Sequence, residues 1–234
     1  MKIFKVPDRF NYIAIFLTLR CNYGCNYCIN RHGEFSIPRE MTGVEWLKAL
    51  ERIETRPDLP FTLQGGEPTL HPDWVEIVHG LWRMDKPVDL LTNGSFDFNY
   101  FTKVVTPEII KRDAPYASIR VSYHPNNHDA NALATKVFLL QNMGYSVGIW
   151  GLGHPLFSNQ NRKMKKICEN LGVDFRLKEF LGMARGRFYG TMKYAGACRV
   201  DGKEPEFKGA VECRTTELLV NPEGKIFRCH SDLY

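Results

Sequence analysis

The sequence predicts an α/β protein, an open, partial (β/α)6 barrel of the TIM-like type with a small cysteine-containing extension at its C-terminal end. Strand and helix patterns alternate six times along the chain, which is typical of parallel strands joined by right-handed crossovers. Turn residues separate the patterns. The alternation stops after about residue 182, so we expect a core domain over residues 1–182 and an extension over residues 183–234.

Six apolar segments have the composition of strands. The second is stopped by Gly65-Gly66 and the third is closed by Asn93-Gly94, both of which are turn signals. In order along the chain, the predicted strands are Tyr12–Leu19, Phe61–Gln64, Val88–Thr92, Ser118–Tyr123, Tyr145–Gly151 and Val173–Phe180.

Helices are predicted between these strands from apolar stripes at helical spacing. A capping box, Thr42-Gly43-Val44-Glu45, opens the first helix, and Pro72 begins the second. Their stripes are Trp46, Ala49, Leu50 and Ile53 in the first, and Trp74, Ile77, Val78 and Leu81 in the second. The other predicted helices are a short one near Pro107–Lys111, then Ala130–Gln141 and Asn159–Leu171.

Composition excludes several classes of function. The 234 residues carry a net charge of +5 that is dispersed along the chain, which is too weak to indicate nucleic-acid binding. No apolar run is long enough to span a membrane, and the N-terminal residues lack a signal-peptide pattern. We therefore expect a cytoplasmic protein, in which the seven clustered cysteines favour metal ligation over disulfides.

Three cysteines follow the first strand with the spacing Cys-x3-Cys-x2-Cys: Cys21, Cys25 and Cys28. Three thiolates on one tight loop can hold an iron–sulfur cluster. A [4Fe–4S] cluster has four irons, so three ligands leave one iron open to a small molecule. The alternative is a zinc knuckle, for which His32 is the nearby candidate fourth ligand, because structural zinc requires four ligands.

This spacing, with the aromatic Tyr27 before the last cysteine, resembles the signature loop of the radical S-adenosylmethionine (SAM) enzymes. The segment Gln64-Gly65-Gly66-Glu67-Pro68, one β-α unit later, resembles the GGEP turn with which that family holds the methionine end of SAM. Glycines there let the backbone approach a ligand closely. The resemblance covers about residues 12–180. It implies that SAM is bound by Tyr27, Gly65, Gly66, Glu67, Thr92 and Ser122.

The resemblance also implies a mechanism. The amino and carboxylate groups of SAM would chelate the open iron, and a reduced cluster would pass one electron to the sulfonium. The resulting 5′-deoxyadenosyl radical would take a hydrogen atom from the substrate. An electron donor such as flavodoxin or ferredoxin is then an expected partner.

A second cysteine set, Cys198, Cys213 and Cys229, lies in the predicted extension. The spacing Cys213-x10-Gly224-x4-Cys229 resembles the SPASM and shorter twitch regions, which hold auxiliary iron–sulfur clusters. A complete SPASM region carries further cysteines, so we expect a twitch-like or truncated version. The alternatives are a zinc site completed by His230, or no metal.

Strand periodicity suggests which side chains face the barrel interior. On the fourth strand these are Arg120, Ser122 and His124, and on the sixth they are Arg176 and Lys178. We expect an interior suited to a carboxylate, a phosphate or an acidic peptide. Alternatively, these charges pair with Glu67, Asp89 or Glu179, or serve the carboxylate of SAM.

Arg176 and Lys178 are thus the candidate catalytic residues, together with Cys168. Cys168 lies on the apolar stripe of its helix, where a cysteine is usually an inert core residue. The alternative is a thiol that donates hydrogen, as in radical epimerases.

The predicted function is that of a radical SAM oxidoreductase which modifies or oxidises a peptide or protein side chain with the help of an auxiliary cluster. Two alternatives remain. One is a radical SAM dehydrogenase or epimerase of a small metabolite or carbohydrate. The other is a zinc-stabilised binding module without catalysis.

Overall fold

A computed structural model describes residues 3–28, 39–180, 182–189, 193–194, 197–198 and 215–227. The helices are α1 Gly43–Glu51, α2 Trp74–Arg83, α3 Phe98–Val104, α4 Pro107–Ile110, α5 Ala130–Asn142 and α6 Ser158–Leu171, with single 3-10 turns at Pro68–Leu70 and Pro155–Phe157. The strands are β1 Phe4–Lys5, β2 Tyr12–Thr18, β3 Ile53–Glu54, β4 Phe61–Gly65, β5 Val88–Thr92, β6 Ile119–Tyr123, β7 Val147–Leu152, β8 Phe175–Lys178, β9 Gly182–Ala184, β10 Arg187–Tyr189, β11 Lys193–Tyr194, β12 Ala197–Cys198, β13 Glu217–Val220 and β14 Ile226–Phe227.

Eight of these strands form one sheet in the order β14-β13-β2-β4-β5-β6-β7-β8. Every neighbouring pair from β13 to β8 is parallel, and β14 alone is antiparallel to its neighbour. This confirms an α/β protein with a mostly parallel sheet. The predicted count of six strands differs, because β13 joins the free edge of β2 as a seventh parallel strand.

The turn residues Asn221-Pro222-Glu223-Gly224 predict a hairpin, and it is present between β13 and β14. The side chain of Asn221 closes the turn by accepting hydrogen bonds from the backbone N–H of Glu223 and of Lys225. Residues 215–227 thus belong to the main sheet, although the sequence places them in a separate extension. The predicted boundary at residues 182 and 183 stays a prediction.

The helix boundaries follow the predicted caps with two differences. The capping box of α1 is present, with Thr42 and Glu45 bonded reciprocally. The second helix begins at Trp74 rather than Pro72, with Asp73 as its N-cap residue in a non-helical conformation, and the Asp73 carboxylate accepts from the N–H of Gly43 at 2.7 Å. Helix α3 was not predicted, although Asp97 is an N-cap signal and accepts a bond from the N–H of Tyr100.

The core has two apolar layers, one on each face of the sheet. The larger layer lies between the sheet and the helices and includes Trp46, Phe61, Leu63, Ile77, Leu81 and Leu90. The smaller layer lies on the opposite face of β2 and β13 and consists of Ala14, Phe16, Leu19 and Leu219. Strand β2 is therefore buried on both faces, which explains its continuous apolar sequence.

The alternation predicted for β6 is observed. Its residues Ile119, Val121 and Tyr123 are buried in the helix-side layer, whereas Arg120 and Ser122 lie half-buried on the other face. On β8 the expectation holds only in part. Phe175 packs against the helix-side core, but Leu177 is 57% exposed because β8 is an edge strand of the sheet. Among the described residues, no helix is long and apolar enough to cross a membrane.

Candidate metal and cofactor site

Four loops meet at the carboxyl edge of the parallel strands, where α/β proteins of this kind build their sites. They follow β2, β4, β5 and β6. Hydrogen bonds join each loop to another, so they form one continuous surface. We call this surface the rim and define it as residues 21–28, 65–68, 92–94 and 124–128.

The first loop of the rim carries the three cysteines predicted to hold a cluster. Cys21, Cys25 and Cys28 are free thiols of intermediate exposure. The N–H of Cys28 donates to the backbone oxygen of Cys25 at 3.1 Å, which closes a tight turn between these two residues. The loop thus presents three unpaired sulfur ligands at the open edge of the sheet. His32, the alternative zinc ligand, lies outside the described residues.

Nitrogen donors from three places are directed at the sulfurs. The N–H of Tyr23 lies 3.4 Å from the sulfur of Cys21, and the side-chain amide of Asn93 lies 3.8 Å from the same atom. The side-chain amide of Asn127 lies 3.8 Å from the sulfur of Cys25. Hydrogen bonds of this kind to thiolate sulfur help set the reduction potential of an iron–sulfur cluster.

Burial is the main cause that raises the pKa of both Cys21 and Cys25, so these thiols need a nearby cation to be held as thiolates. Within the described ranges, no three His, Cys, Asp or Glu side chains converge on a single metal ion. A [4Fe–4S] cluster does not require its ligands to converge on one metal ion, because each cysteine binds a different iron. The free thiols and their N–H donors fit a [4Fe–4S] cluster better than a single zinc ion.

The two glycines of the GGEP turn allow this turn to pack closely on the strand that leads to the cysteines. A side chain on Gly65 would collide with the backbone oxygen of Thr18, and one on Gly66 with that of Arg20. Gly65 also has φ of 141°, which L-residues rarely adopt. The N–H groups of Gly66 and Glu67 then donate to those same two oxygens, each at 2.8 Å. The two glycines are therefore required for close packing of this turn against the chain's own backbone.

Glu67 is fully buried and joins the GGEP turn to the end of β5. Its carboxylate accepts bonds from the N–H and hydroxyl of Thr69 at 3.1 and 2.6 Å. It also accepts from the hydroxyl of Thr92 at 2.8 Å and from the N–H of Asn93 at 2.6 Å. Burial raises its pKa in spite of these donors. Glu67 therefore joins two loops of the rim, the GGEP turn and the turn after β5, through buried hydrogen bonds.

The two residues carried over as ribose or carboxylate contacts are placed differently. Thr92 is buried, and its hydroxyl donates to Glu67 and accepts from the N–H of Gly94 at 3.0 Å. Ser122 is half-buried on the inner face, and no described residue bonds to its hydroxyl. Both assignments to SAM stay predictions, and Ser122 has the hydroxyl that the rest of the described protein leaves unused.

The sequence interpretation missed a polar group around the cysteine loop. Asn93 donates to Asn22 at 2.8 Å as well as to sulfur, and its backbone oxygen lies 2.8 Å from Nε2 of His128. Nδ1 of His124 lies 3.0 Å from the hydroxyl of Tyr27 and 3.6 Å from the sulfur of Cys25. Burial, followed by the charge of His128, lowers the pKa of His124 to about 4, so His124 is neutral at pH 7. The spacing His124-x3-His128 is the feature of the sequence that could have predicted this polar group.

A second polar group lies near the amino ends of the strands, on the same inner face of the sheet. Asp89 is fully buried and makes two bonds to Arg112, at 2.6 and 2.9 Å, and one to Arg120 at 3.0 Å. The ring of Tyr116 packs against both guanidinium groups, at 4.5 and 5.2 Å. We call Asp89, Arg112, Tyr116 and Arg120 the floor. The expected pairing of an interior charge with Asp89 is thus observed for Arg120.

The structure separates the two charged candidates on β8. Arg176 is bound to the carboxylate of Asp174 at 2.8 Å and to the backbone oxygen of Pro115 at 3.1 Å. The ammonium group of Lys178 has no ion-pair or hydrogen-bond partner among the described residues. The residue is exposed, and desolvation, followed by repulsion from Arg120, lowers its pKa to about 8. Of the two cations on β8, Lys178 is therefore the one without a described partner.

Of the four remaining cysteines, the structure describes the side chain of Cys168. Cys168 is fully buried on α6 in the helix-side core, and burial raises the pKa of its thiol to about 11. Cys198 ends strand β12. Cys213, Cys229 and His230 lie outside the described residues, so the predicted auxiliary site stays a prediction.

The fold and the rim define a parallel α/β protein with a three-cysteine loop suited to an iron–sulfur cluster. Residues 15–126 match the Radical SAM superfamily. The match covers 112 of the 234 residues, a little under half of the chain, and includes the cysteine loop, the GGEP turn and β6. This part of the chain is therefore similar to radical SAM proteins, a family whose cofactors are a [4Fe–4S] cluster and SAM.

Three curated relatives illustrate the range of this similarity. An S-adenosylmethionine-dependent nucleotide dehydratase of Selenomonas ruminantium is 28% identical over 43% of this chain and 35% of its own. A probable GTP 3′,8-cyclase of Methanopyrus kandleri is 36% identical over 35% of this chain and 26% of its own. A GTP 3′,8-cyclase of Microcystis aeruginosa is 34% identical over 37% and 28%. The matches thus span about a third or less of these relatives.

Among solved structures, SuiB of Streptococcus suis has a similar fold. The TM-score is 0.54 at 14% identity, over 75% of this chain and 41% of SuiB. Structures of SuiB bound to its precursor peptide SuiA and to S-adenosylmethionine give TM-scores of 0.54 and 0.55. At this identity the likeness shows the fold alone. It supports the partial-barrel architecture without fixing the number of strands.

Proposed function

We propose that this protein is a radical SAM enzyme in which Cys21, Cys25 and Cys28 hold three irons of a [4Fe–4S] cluster and leave the fourth to SAM. When bound, the cluster supplies the electron that cleaves SAM to a 5′-deoxyadenosyl radical, which removes a hydrogen atom from the substrate. The protein supplies placement, exclusion of water and the environment of the sulfurs.

The observation that carries the proposal is the attachment of the GGEP turn to the cysteine loop through Glu67 and Asn93. Glu67 binds the N–H of Asn93, and the side chain of Asn93 reaches Asn22 and the sulfur of Cys21. The turn predicted to hold the methionine end of SAM is thereby fixed to the loop that would hold the cluster. A zinc knuckle would not need this connection.

The surrounding residues have distinct tasks in this proposal. Asn93 and Asn127 donate to the thiolates and stabilise the reduced, more negative cluster. Tyr27 is held in place by His124, and its ring packs on Phe157 with the centroids 5.1 Å apart. As the residue before Cys28, Tyr27 would lie next to a bound cluster, where its ring could contact SAM. Ser122 offers a free hydroxyl to the ribose or carboxylate of SAM.

For the substrate, we propose a peptide or protein side chain that is oxidised or otherwise modified. Support comes from the similar fold of SuiB, which has been solved with its precursor peptide. A second candidate is a small phosphorylated metabolite, because the curated relatives include enzymes named for a nucleotide and for GTP. The auxiliary cluster on Cys198, Cys213 and Cys229 belongs to the first candidate.

The test is anaerobic reconstitution with iron and sulfide, followed by reduction and addition of SAM. We expect about four irons per chain from the first cluster, or about seven to eight with the auxiliary one. We further expect an altered electron paramagnetic resonance spectrum on addition of SAM, and formation of 5′-deoxyadenosine. An unchanged spectrum without 5′-deoxyadenosine contradicts the proposal, and zinc in place of iron supports the binding module.

Matched cysteine variants give the controls. Cys25→Ala removes one predicted ligand and is expected to abolish 5′-deoxyadenosine formation. Cys168→Ala removes a buried thiol in the helix-side core and is expected to retain both iron and SAM cleavage. Cys213→Ala tests the auxiliary site, since it should lower the iron count without abolishing SAM cleavage.

A further inference from the structure

The inner face of the sheet carries buried donor groups that no described residue accepts. Gln64 is 8% exposed; its side-chain oxygen accepts the hydroxyl of Tyr12 at 2.9 Å, but its Nε2 has no partner. In Arg120, Nη2 is bound to Asp89, whereas Nε has no partner. A buried donor without an acceptor costs about 1–3 kcal/mol, so two of them on one face need an explanation.

Lys178 lies on the same inner face, two strands from Arg120 and four residues nearer the carboxyl edge in register, and its long side chain carries a third donor. Among the described residues no side chain pairs with the ammonium group of Lys178, and the charge of Arg120 repels it. An anion between them would relieve this repulsion and accept the unused donors.

The acidic groups nearby do not take that role. Both oxygens of Asp89 are already occupied by Arg112, and one of them also accepts from Arg120. Glu217, on neighbouring β13, lies beside Tyr12 on this face and contributes a negative charge there. Among the described residues named above, three cations, at positions 112, 120 and 178, thus share this face with two carboxylates, at positions 89 and 217.

We propose that Arg120, Gln64 and Lys178 form a subsite for an oxyanion of the substrate, either a carboxylate or a phosphate group. The proposal rests on the proposed function, because SAM would lie at the rim above this subsite. Ser122 is two residues beyond Arg120 on the same face of β6, a rise of about 7 Å. The substrate would therefore place its charged end at the floor and its reacting carbon toward the rim.

Asp89 and Arg112 are positioning residues in this arrangement. Arg112 holds Asp89 by two bonds, and Asp89 in turn fixes the plane of the Arg120 guanidinium while leaving part of it free. Tyr116 packs against the guanidinium and limits its movement. A fixed guanidinium with an unpartnered Nε is suited to donate a charge-assisted hydrogen bond to a carboxylate or phosphate oxygen.

Calorimetric titration of the reconstituted, SAM-bound protein with inorganic phosphate and with acetate tests the subsite. We expect saturable binding of at least one anion, and Arg120→Gln should weaken it about tenfold to a hundredfold. Lys178→Gln should weaken it less. The matched control is Arg176→Gln, which removes a charge from the same face but one already engaged by Asp174, and it should leave anion binding unchanged.

The two anions distinguish a phosphate group from a carboxylate group as the part of the substrate that binds at the subsite. Binding of phosphate alone indicates a phosphorylated substrate, and binding of acetate alone indicates a carboxylate. No saturable binding of either anion overturns the subsite, as does equal binding by wild type and Arg120→Gln. If the affinity for SAM falls in Arg120→Gln while the anions bind as before, Arg120 serves SAM and the subsite is again overturned.

This test is independent of the proposed function. If phosphate or acetate binds but 5′-deoxyadenosine never forms, the enzymatic proposal fails and the subsite stands. If 5′-deoxyadenosine forms but no anion binds, only the subsite fails. Should Arg120→Gln not fold, Arg120→Lys keeps the charge but loses the planar fork, and an anion affinity equal to wild type in both Arg120→Lys and Lys178→Gln overturns the proposal.

Discussion

Two fully buried carboxylates, Glu67 at the rim and Asp89 at the floor, are stabilised in opposite ways. The donors that bind Glu67 are all neutral groups. The donors that bind Asp89 are two guanidinium groups. Both carboxylates are fully shielded from solvent, so the contrast lies in the charge of their partners.

This difference gives the two ends of the barrel interior opposite electrostatic character. The charge of Glu67 is not neutralised by a direct partner, and it contributes to the raised pKa of the nearby Cys21 thiol. The rim therefore favours a group with positive charge, as the iron–sulfur core of a cluster has. The floor has more guanidinium donors than Asp89 can accept, and so favours an anion.

The largest effect is expected when the ion pair at the floor is broken. Asp89→Asn leaves two largely buried guanidinium groups without their counter-charge, since the side chains of Arg112 and Arg120 are 11% and 13% exposed. We expect a loss of about 3–5 kcal/mol in the free energy of unfolding, measured by urea denaturation. The cysteine loop is separate, so the folded fraction should still bind a cluster.

An exposed ion pair provides the control for this variant. Asp58 pairs with Arg56 at 3.0 Å, but its side chain is 74% exposed. Asp58→Asn is expected to leave the free energy of unfolding almost unchanged, because exposed pairs contribute little. A loss in Asp89→Asn no greater than that in Asp58→Asn would show that the floor is not held by its charges.

Glu67→Gln should have a smaller effect on stability and a larger one on chemistry. The glutamine keeps one acceptor oxygen but turns an NH2 group toward groups that are themselves donors. We expect a loss of about 1–3 kcal/mol in the free energy of unfolding. Because the GGEP turn and Asn93 then shift relative to the cysteine loop, SAM cleavage should fall by about tenfold or more.

Comparing Asp89→Asn with Glu67→Gln tests the difference between floor and rim more strictly than either variant alone. Asp89→Asn should lose more stability than Glu67→Gln, and Glu67→Gln should lose more SAM cleavage per folded molecule. Glu51→Gln, at an exposed position at the end of α1, is the control and should change neither quantity. If Glu67→Gln cleaves SAM at the wild-type rate, Glu67 does not shape the site.

Short-range patterns predicted the parts of the molecule that depend on neighbours in sequence. The parallel β-α order, the α1 capping box and the hairpin after β13 were all readable because each is encoded within a few consecutive residues. The three-cysteine loop and the GGEP turn were readable for the same reason. Their positions on adjacent strands then followed from the parallel topology.

Contacts between distant loops could not be predicted in this way. The bond from Asn93 to Cys21 spans 72 residues, and that from Arg112 to Asp89 joins an irregular segment to a strand. Strand periodicity placed Arg176 and Lys178 on one face but could not show which of the two side chains is bound to a carboxylate. Asp174, two residues before Arg176 on the same face, was the signal that would have separated them.

The smallest effect is expected at Thr92, whose hydroxyl lies between Glu67 and the turn that follows β5. It donates to Glu67 and accepts from the N–H of Gly94. Thr92→Val removes the hydroxyl at similar volume and should lower the free energy of unfolding by about 1 kcal/mol. Thr92→Ser keeps the hydroxyl and should lose less. If urea denaturation shows that both variants lose the same amount, the lost methyl contacts rather than the hydroxyl account for the effect, and Thr92 does not help to hold Glu67.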